Sequence, residues 1–210
     1  MLPLHTVVPF FGIALVLGLA PGPDNIFVLL QSAMRGVRAG MVVVLGLCTG
    51  LLVHTAAVAF GLAGLFAASP AAFAVLKTIG ALYLAWLAWQ AFRAPVGGMS
   101  ADGEGVAAGN GGQMYRRGIV MNLTNPKVVI FFLAFLPQFV VADAGSVALQ
   151  ILLLGLVFVA ATLLVFSAIA WGAGTFGTLL LRSARAQRWL NWFAGAVFLG
   201  LAVRLAATQL

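Results

Sequence analysis

The residues with chemistry to offer are few and grouped. Pro21, Gly22, Pro23, Asp24 and Asn25 interrupt an apolar run and place a carboxylate there; about a hundred residues later Asn122, Leu123, Thr124, Asn125, Pro126 and Lys127 interrupt a second run and place an ammonium. In hydrocarbon an ionisable side chain costs roughly 2.5–3.5 kcal/mol on insertion scales, and a proline removes a backbone hydrogen bond that lipid cannot replace. Each break must therefore line a polar cavity or lie buried in protein. Proline suits the first position of a helix, so each break is predicted to start a half-helix whose free amides and positive dipole end face that cavity, an end that binds carboxylate. Asp24 can accept a substrate ammonium or take up a proton. Lys127 can hold a substrate carboxylate, with Asn25, Asn122 and Asn125 as neutral donors and acceptors, so the set matches a zwitterion. The same residues allow another reading: Asp24 and Lys127 pair across the bundle to offset each other's burial while the asparagines cap half-helices. A pair that opens during transport satisfies both.

The remaining polar groups say less. Gln31 lies seven residues after Asp24 and shares its face on a regular helix, where it either extends the pathway or makes an interhelical hydrogen bond. Gly46, Gly50, His54, Ala57 and Gly61 follow helical spacing, so His54 falls on a small-residue stripe and is expected to face another helix, as a structural hydrogen-bonder or a proton relay. Cys48 is the one cysteine; it forms no internal disulfide and no thiolate metal site, and reads as a small apolar packer. Most of the five tryptophans fall toward span ends, where they anchor at the interface.

The elements that must position these groups are membrane helices. Apolar residues make up 63% of the chain and charged ones 7%, with a mean hydropathy of +1.14, whereas a soluble domain is about 25% charged. The first apolar run has no basic start and no small-residue cleavage pattern, and is expected to be a retained span. At about 20 apolar residues per span, six candidates run from Val7 to Ala33, Met41 to Phe66, Ala71 to Phe92, Gly118 to Val141, Val147 to Ala170 and Trp189 to Val203. The segment 94–115, rich in glycine, reads as a flexible linker between a three-helix repeat at 1–93 and a second at 116–210. Of the basic residues outside the breaks, Arg35, Arg38, Arg93, Arg116, Arg117, Arg182, Arg185 and Arg188 gather on one side; only Lys77 and Arg204 stand opposite. Basic residues are retained in the cytoplasm, so both termini are expected in the periplasm, the linker in the cytoplasm, and the two odd-numbered halves inverted. Gly80-Ala-Leu-Tyr-Leu84 and Gly195-Ala-Val-Phe-Leu199 match locally, and both breaks fall in the first span of a half, the usual pointer to a transporter's midplane site. The net charge of +7 is read as orientation and contact with anionic lipid, not as a nucleic-acid interface.

The chain resembles the LysE/RhtB family of bacterial amino acid exporters. The likeness is carried by Gly18-Leu-Ala-Pro-Gly-Pro-Asp-Asn25, by Arg35-Gly36-Val-Arg-Ala-Gly40 ahead of a glycine-rich span, by Gly118-Ile-Val-Met-Asn-Leu-Thr-Asn-Pro-Lys127 with Phe131 and Phe132, and by Gly195-Ala-Val-Phe-Leu199. It implies an exporter of amino acids or close derivatives in the bacterial inner membrane, energised by the proton gradient, with Pro21, Gly22, Pro23, Asp24, Asn25, Asn122, Asn125, Pro126 and Lys127 at the family's motif positions. It implies no cofactor, and a homo-oligomer is compatible with it. Ala202 and Val203 stand where more glycine is expected. The competing reading is a cation or metal-ion exporter, which wants several oxygen, imidazole or thiolate ligands where this chain offers one membrane carboxylate and two histidines. An enzyme is disfavoured because neither His5 nor His54 has a partner close in sequence, and nucleotide coupling because no phosphate-binding loop is present.

Overall fold

The computed structural model describes residues 2–20, 22–68, 70–94, 110–141, 144–173 and 183–207, and every regular element among them is helical. Helix α1 (Leu4–Leu19) is followed by α2 (Pro23–Arg35), α3 (Val37–Ala68) and α4 (Pro70–Arg93); then come α5 (Gly111–Thr124), α6 (Pro126–Ile130), α7 (Val147–Gly172) and α8 (Ala184–Ala207). Beyond α6 the chain continues as one π turn (Phe131–Phe135) and one 3-10 turn (Leu136–Phe139). Prolines open α2, α4 and α6, where the missing amide hydrogen costs nothing. Gly36, at φ 84°, makes the sharp joint between α2 and α3 that a side chain would strain.

Among the described residues three single helices are long and apolar enough to cross a membrane, within Val37–Gly61, Val147–Gly172 and Gln187–Ala207. Two bent pairs bring the number to five if each is one span: α1 with α2 at 65°, and α5 with the Pro126–Phe139 segment at 52°. Helix α4, whose side chains at 70, 72, 73 and 76 lie outside the described residues, is not in that count.

Two boundaries differ most from those read in the sequence. Helix α5 begins at Gly111, inside the segment read as linker, because the Asn110 side chain accepts the Gln113 amide at 3.0 Å and caps it. Helix α8 starts at Ala184, ahead of the apolar run, so Arg185, Gln187 and Arg188 form a polar first turn. Most of the linker (95–109) and residues 174–182 lie outside the described residues.

Helix α3 packs against α2, α5 and α7, α1 packs on α7, and α4 packs on α8. The contact of α3 with α5 is backbone on backbone: a Cβ on Gly118 would lie 3.1 Å from the Gly46 Cα, and one on Gly50 would lie 2.7 Å from the Asn122 side chain. The small-residue stripe thus meets α5 at Gly46, Gly50 and His54 and leaves it by Gly61, which has open space before it. Gly18 on α1 meets Val165 on α7 in the same way, at 3.4 Å. Leu45, Leu52, Phe60, Leu82, Leu156 and Leu164 point outward, as lipid-facing side chains do.

Candidate functional site

The two breaks meet in the interior. Asp24 is the second residue of α2 and Lys127 the second of α6, each just after the proline that opens its half-helix. Both side chains are buried, with Asp24 3% and Lys127 9% exposed. A carboxylate in the first turn of α2 sits at the positive end of that helix, a favourable place. Lys127 has the opposite problem, since an ammonium at the start of α6 faces its own dipole. Its long stem solves this by carrying the charge across to the end of α1, where Nζ donates to the carbonyls of Leu17 at 3.1 Å and Ala20 at 3.2 Å. Those carbonyls are the unsatisfied acceptors of a helix C-terminus, where a cation is stabilised.

Asn125 joins the breaks. Its Nδ2 donates to Asp24 Oδ2 at 2.7 Å and its Oδ1 accepts the Lys127 backbone amide at 3.0 Å, so one side chain caps α6 and holds the carboxylate of α2. Asn25 works within its own break, donating to the Gly18 carbonyl at 2.7 Å and tying the start of α2 to the last turn of α1. Among the described residues no hydrogen bond or ion pair joins Asp24 to Lys127 directly; Asp24 is bonded by Asn125, and Lys127 by the carbonyls at the end of α1. Asp24 Oδ1, Asn25 Oδ1 and Asn122 Oδ1 are buried polar atoms with no hydrogen-bond partner among the described residues, capacity that a polar ligand can satisfy.

Asp24, Lys127 and Asn122 border a chamber of about 20 Å3, with Leu47, Leu51 and Phe158 among its apolar side; Asn25 and Asn125 are not in its wall. That volume is on the scale of a single water. The chamber is narrow around its charges, and a ligand larger than a water enters only if the walls part.

The other residues singled out in the sequence are more spread. Gly22 adjoins the site, its Cβ position 3.4 Å from Lys127 Nζ; Pro21 lies outside the described residues. Gln31 is buried, with Oε1 unpartnered, but is not part of the chamber wall. His54 stands on the far side of the second break, its Nε2 3.3 Å from the Asn122 carbonyl and its ring 5.6 Å from that of Phe132. Among the described residues no three His, Cys, Asp or Glu side chains converge to hold a metal ion. Sequence reasoning missed Thr162, which brings a hydroxyl to the chamber from α7. Its signal was present: Phe158, Thr162 and Phe166 recur every four residues and share a face. It also missed the carbonyls of Leu17 and Ala20, which no residue type announces.

The chain belongs to the LysE type translocator family, whose sequence model matches residues 15–209. It is 32% identical over 194 residues to the homoserine/homoserine lactone efflux protein of Salmonella typhimurium, covering 92% of each chain. It is 31% identical over 195 residues to the leucine efflux protein of Klebsiella pneumoniae, covering 91% of this chain and 90% of that one. An uncharacterized membrane protein of Vibrio cholerae is 30% identical over 211 residues and 98% of each chain. No solved structure matches the chain. Family and apolar helices together make this a multi-pass membrane protein.

Proposed function

We propose that this translocator exports an amino acid or a close derivative across the bacterial inner membrane in exchange for protons, binding it between Asp24 and Lys127. The observation that carries the reading is the meeting of the two breaks: residues 101 positions apart, Asn125 and Asp24, are hydrogen-bonded in the interior beside a buried ammonium. A carboxylate, an ammonium and the unpartnered amide oxygen of Asn122 around one chamber suit a zwitterion better than a bare cation. The named efflux activities of the relatives, on homoserine, homoserine lactone and leucine, lie in the same substrate class.

Six spans in two inverted halves fit the packing. In that scheme α1–α2, α3 and α4 correspond to α5–α6, α7 and α8. Exchange of the halves turns the packing of α1 on α7 into that of α5 on α3 and maps the α3–α7 and α4–α8 pairs onto themselves. Asp24 then corresponds to Lys127, opposite charges at equivalent positions. The eight-to-two division of the basic residues supports a cytoplasmic linker and periplasmic termini.

Transport into inside-out vesicles from a panel of labelled amino acids tests the substrate class; accumulation of none of them refutes it. Collapse of accumulation by a protonophore, and loss of its response to an imposed pH gradient in Asp24→Asn, test proton exchange. If gradient-driven accumulation persists in that variant, Asp24 is not the proton carrier. A cysteine at Asp102 that an impermeant reagent labels from outside intact cells overturns the orientation.

A further inference from the structure

A second, far larger cavity of about 600 Å3 opens between the C-terminal half of α4 and the N-terminal half of α8. Among the described residues Lys127 alone lines both this cavity and the chamber. We propose that the cavity is the antechamber through which the amino acid arrives: Arg93 receives its carboxylate there, and Lys127 is the partition it must displace to reach the chamber. The proposal rests on the exporter reading above and adds a route, a receiving residue and a gate.

The size is right, since pockets for small molecules run to about 300–1,000 Å3 and the chamber is far below that. So is the chemistry of the wall. The Arg93 guanidinium lies 4.0 Å over the Trp89 ring, a contact that steadies the cation beside the cavity, and its fork of N–H donors suits a carboxylate. Gln90 and Asn191 offer amide oxygens to an ammonium, and Trp86 and Phe198 offer apolar surface to a side chain. The position agrees as well. Arg93 ends α4 while Arg185 and Arg188 lie in the first turns of α8, so the cavity lies toward the basic ends of the helices, the side from which an exporter takes its load.

The gate follows from the bonds of Lys127. Its ammonium is held by two neutral carbonyls, those of Leu17 and Ala20. A carboxylate offers a charged acceptor, which makes the stronger hydrogen bond. Substrate at Arg93 therefore draws the ammonium from the end of α1 toward the antechamber, and the wall of the chamber opens by the movement of one side chain.

The test uses the full chain with its own cysteine replaced, Cys48→Ser, and single cysteines at the antechamber wall, Ala91→Cys and Ala94→Cys, in inside-out vesicles. The probes are labelled homoserine and leucine, and the blocking reagent is the membrane-impermeant sulfonatoethyl methanethiosulfonate. Modification is expected to lower accumulation at least tenfold in both cysteine variants and to leave the parent unchanged. A reductant should restore transport, which separates a plug from a folding defect, and excess substrate should slow the modification. Arg93→Gln is expected to raise the half-saturating concentration about tenfold, the loss of one charge-assisted contact. Modified variants that transport within twofold of the parent overturn the proposal. So do cysteines that react only with a membrane-permeant maleimide, which makes the cavity a lipid-filled recess. If the parent accumulates no amino acid, the exporter reading falls and takes this one with it.

Discussion

The two ends of the chamber are built from different materials. Toward the basic helix ends, the ammonium of Lys127 and its two carbonyl bonds stand between the chamber and a cavity of about 600 Å3. Away from them, Phe10, Phe131, Phe132, Phe135, Phe139 and Phe158 pack ring to ring with centroids 5.0–6.4 Å apart, and Arg204, near the far end of α8, covers Phe139 at 4.8 Å. A hydrogen bond exchanges partners with little net change in free energy, while parting six rings gives up dispersion contact all at once. One barrier is thin and answers to a charged ligand; the other is thick and opens only if helices move. The π turn at Phe131–Phe135 lies in the thick one, and such turns often mark sites of function.

The largest effect is expected on the thin side. Asp24→Asn and Lys127→Met should each lower efflux at least a hundredfold at normal membrane levels, since each removes one of the two buried charges proposed to hold the substrate. If the double variant transports while the single ones fail, the two charges are a structural lock and bind no substrate. On the thick side, Phe131→Ala should lower stability in detergent by about 3 kcal/mol and raise downhill leakage of substrate; a tight, fully stable variant would remove the distinction between the two barriers.

The next test concerns the frame that carries the clasp. Gly50→Ala puts a methyl 2.7 Å from the Asn122 side chain, so α5 must shift. A destabilisation of about 1–3 kcal/mol, with slower efflux, is expected by thermal melting and transport together. Unchanged melting would show that α3 and α5 do not touch there. The smallest effect belongs to Thr49→Val, which removes the 2.7 Å hydrogen bond to Tyr115 outside both barriers. A loss of about 1 kcal/mol and efflux within about twofold should result; a larger drop in efflux would extend the working region to the start of α5.

Much of the site was legible because its causes are local. Pro23 and Pro126 start helices for reasons contained in the residues themselves, and an ionisable group beside each marks a place that lipid cannot occupy. The start of α5 was legible too: Asn110 with Gln113 three residues on is a helix-start signature, outweighed in the reading by the glycines around it. What stayed hidden depends on contacts between distant segments. Nothing in the residue types says that Lys127 leaves Asp24 for the carbonyls of α1, or that Asn125 and not Lys127 is the direct partner of Asp24. Gln31 shows the limit of spacing, since it lies seven residues on from Asp24 and is buried, yet does not reach the chamber.

Asn125 acts as a yoke with a fixed polarity. Its amide is planar, with the nitrogen end committed to α2 and the oxygen end to the backbone of α6. Half a turn of that group would point N–H at N–H and oxygen at oxygen, so it has one productive setting. While the yoke holds, α6 cannot swivel without withdrawing the donor from Asp24, and Asp24 cannot swing away without unseating the cap of α6. An aspartate there could keep the cap but would set carboxylate against carboxylate, and the two breaks would then stay coupled only through a shared proton.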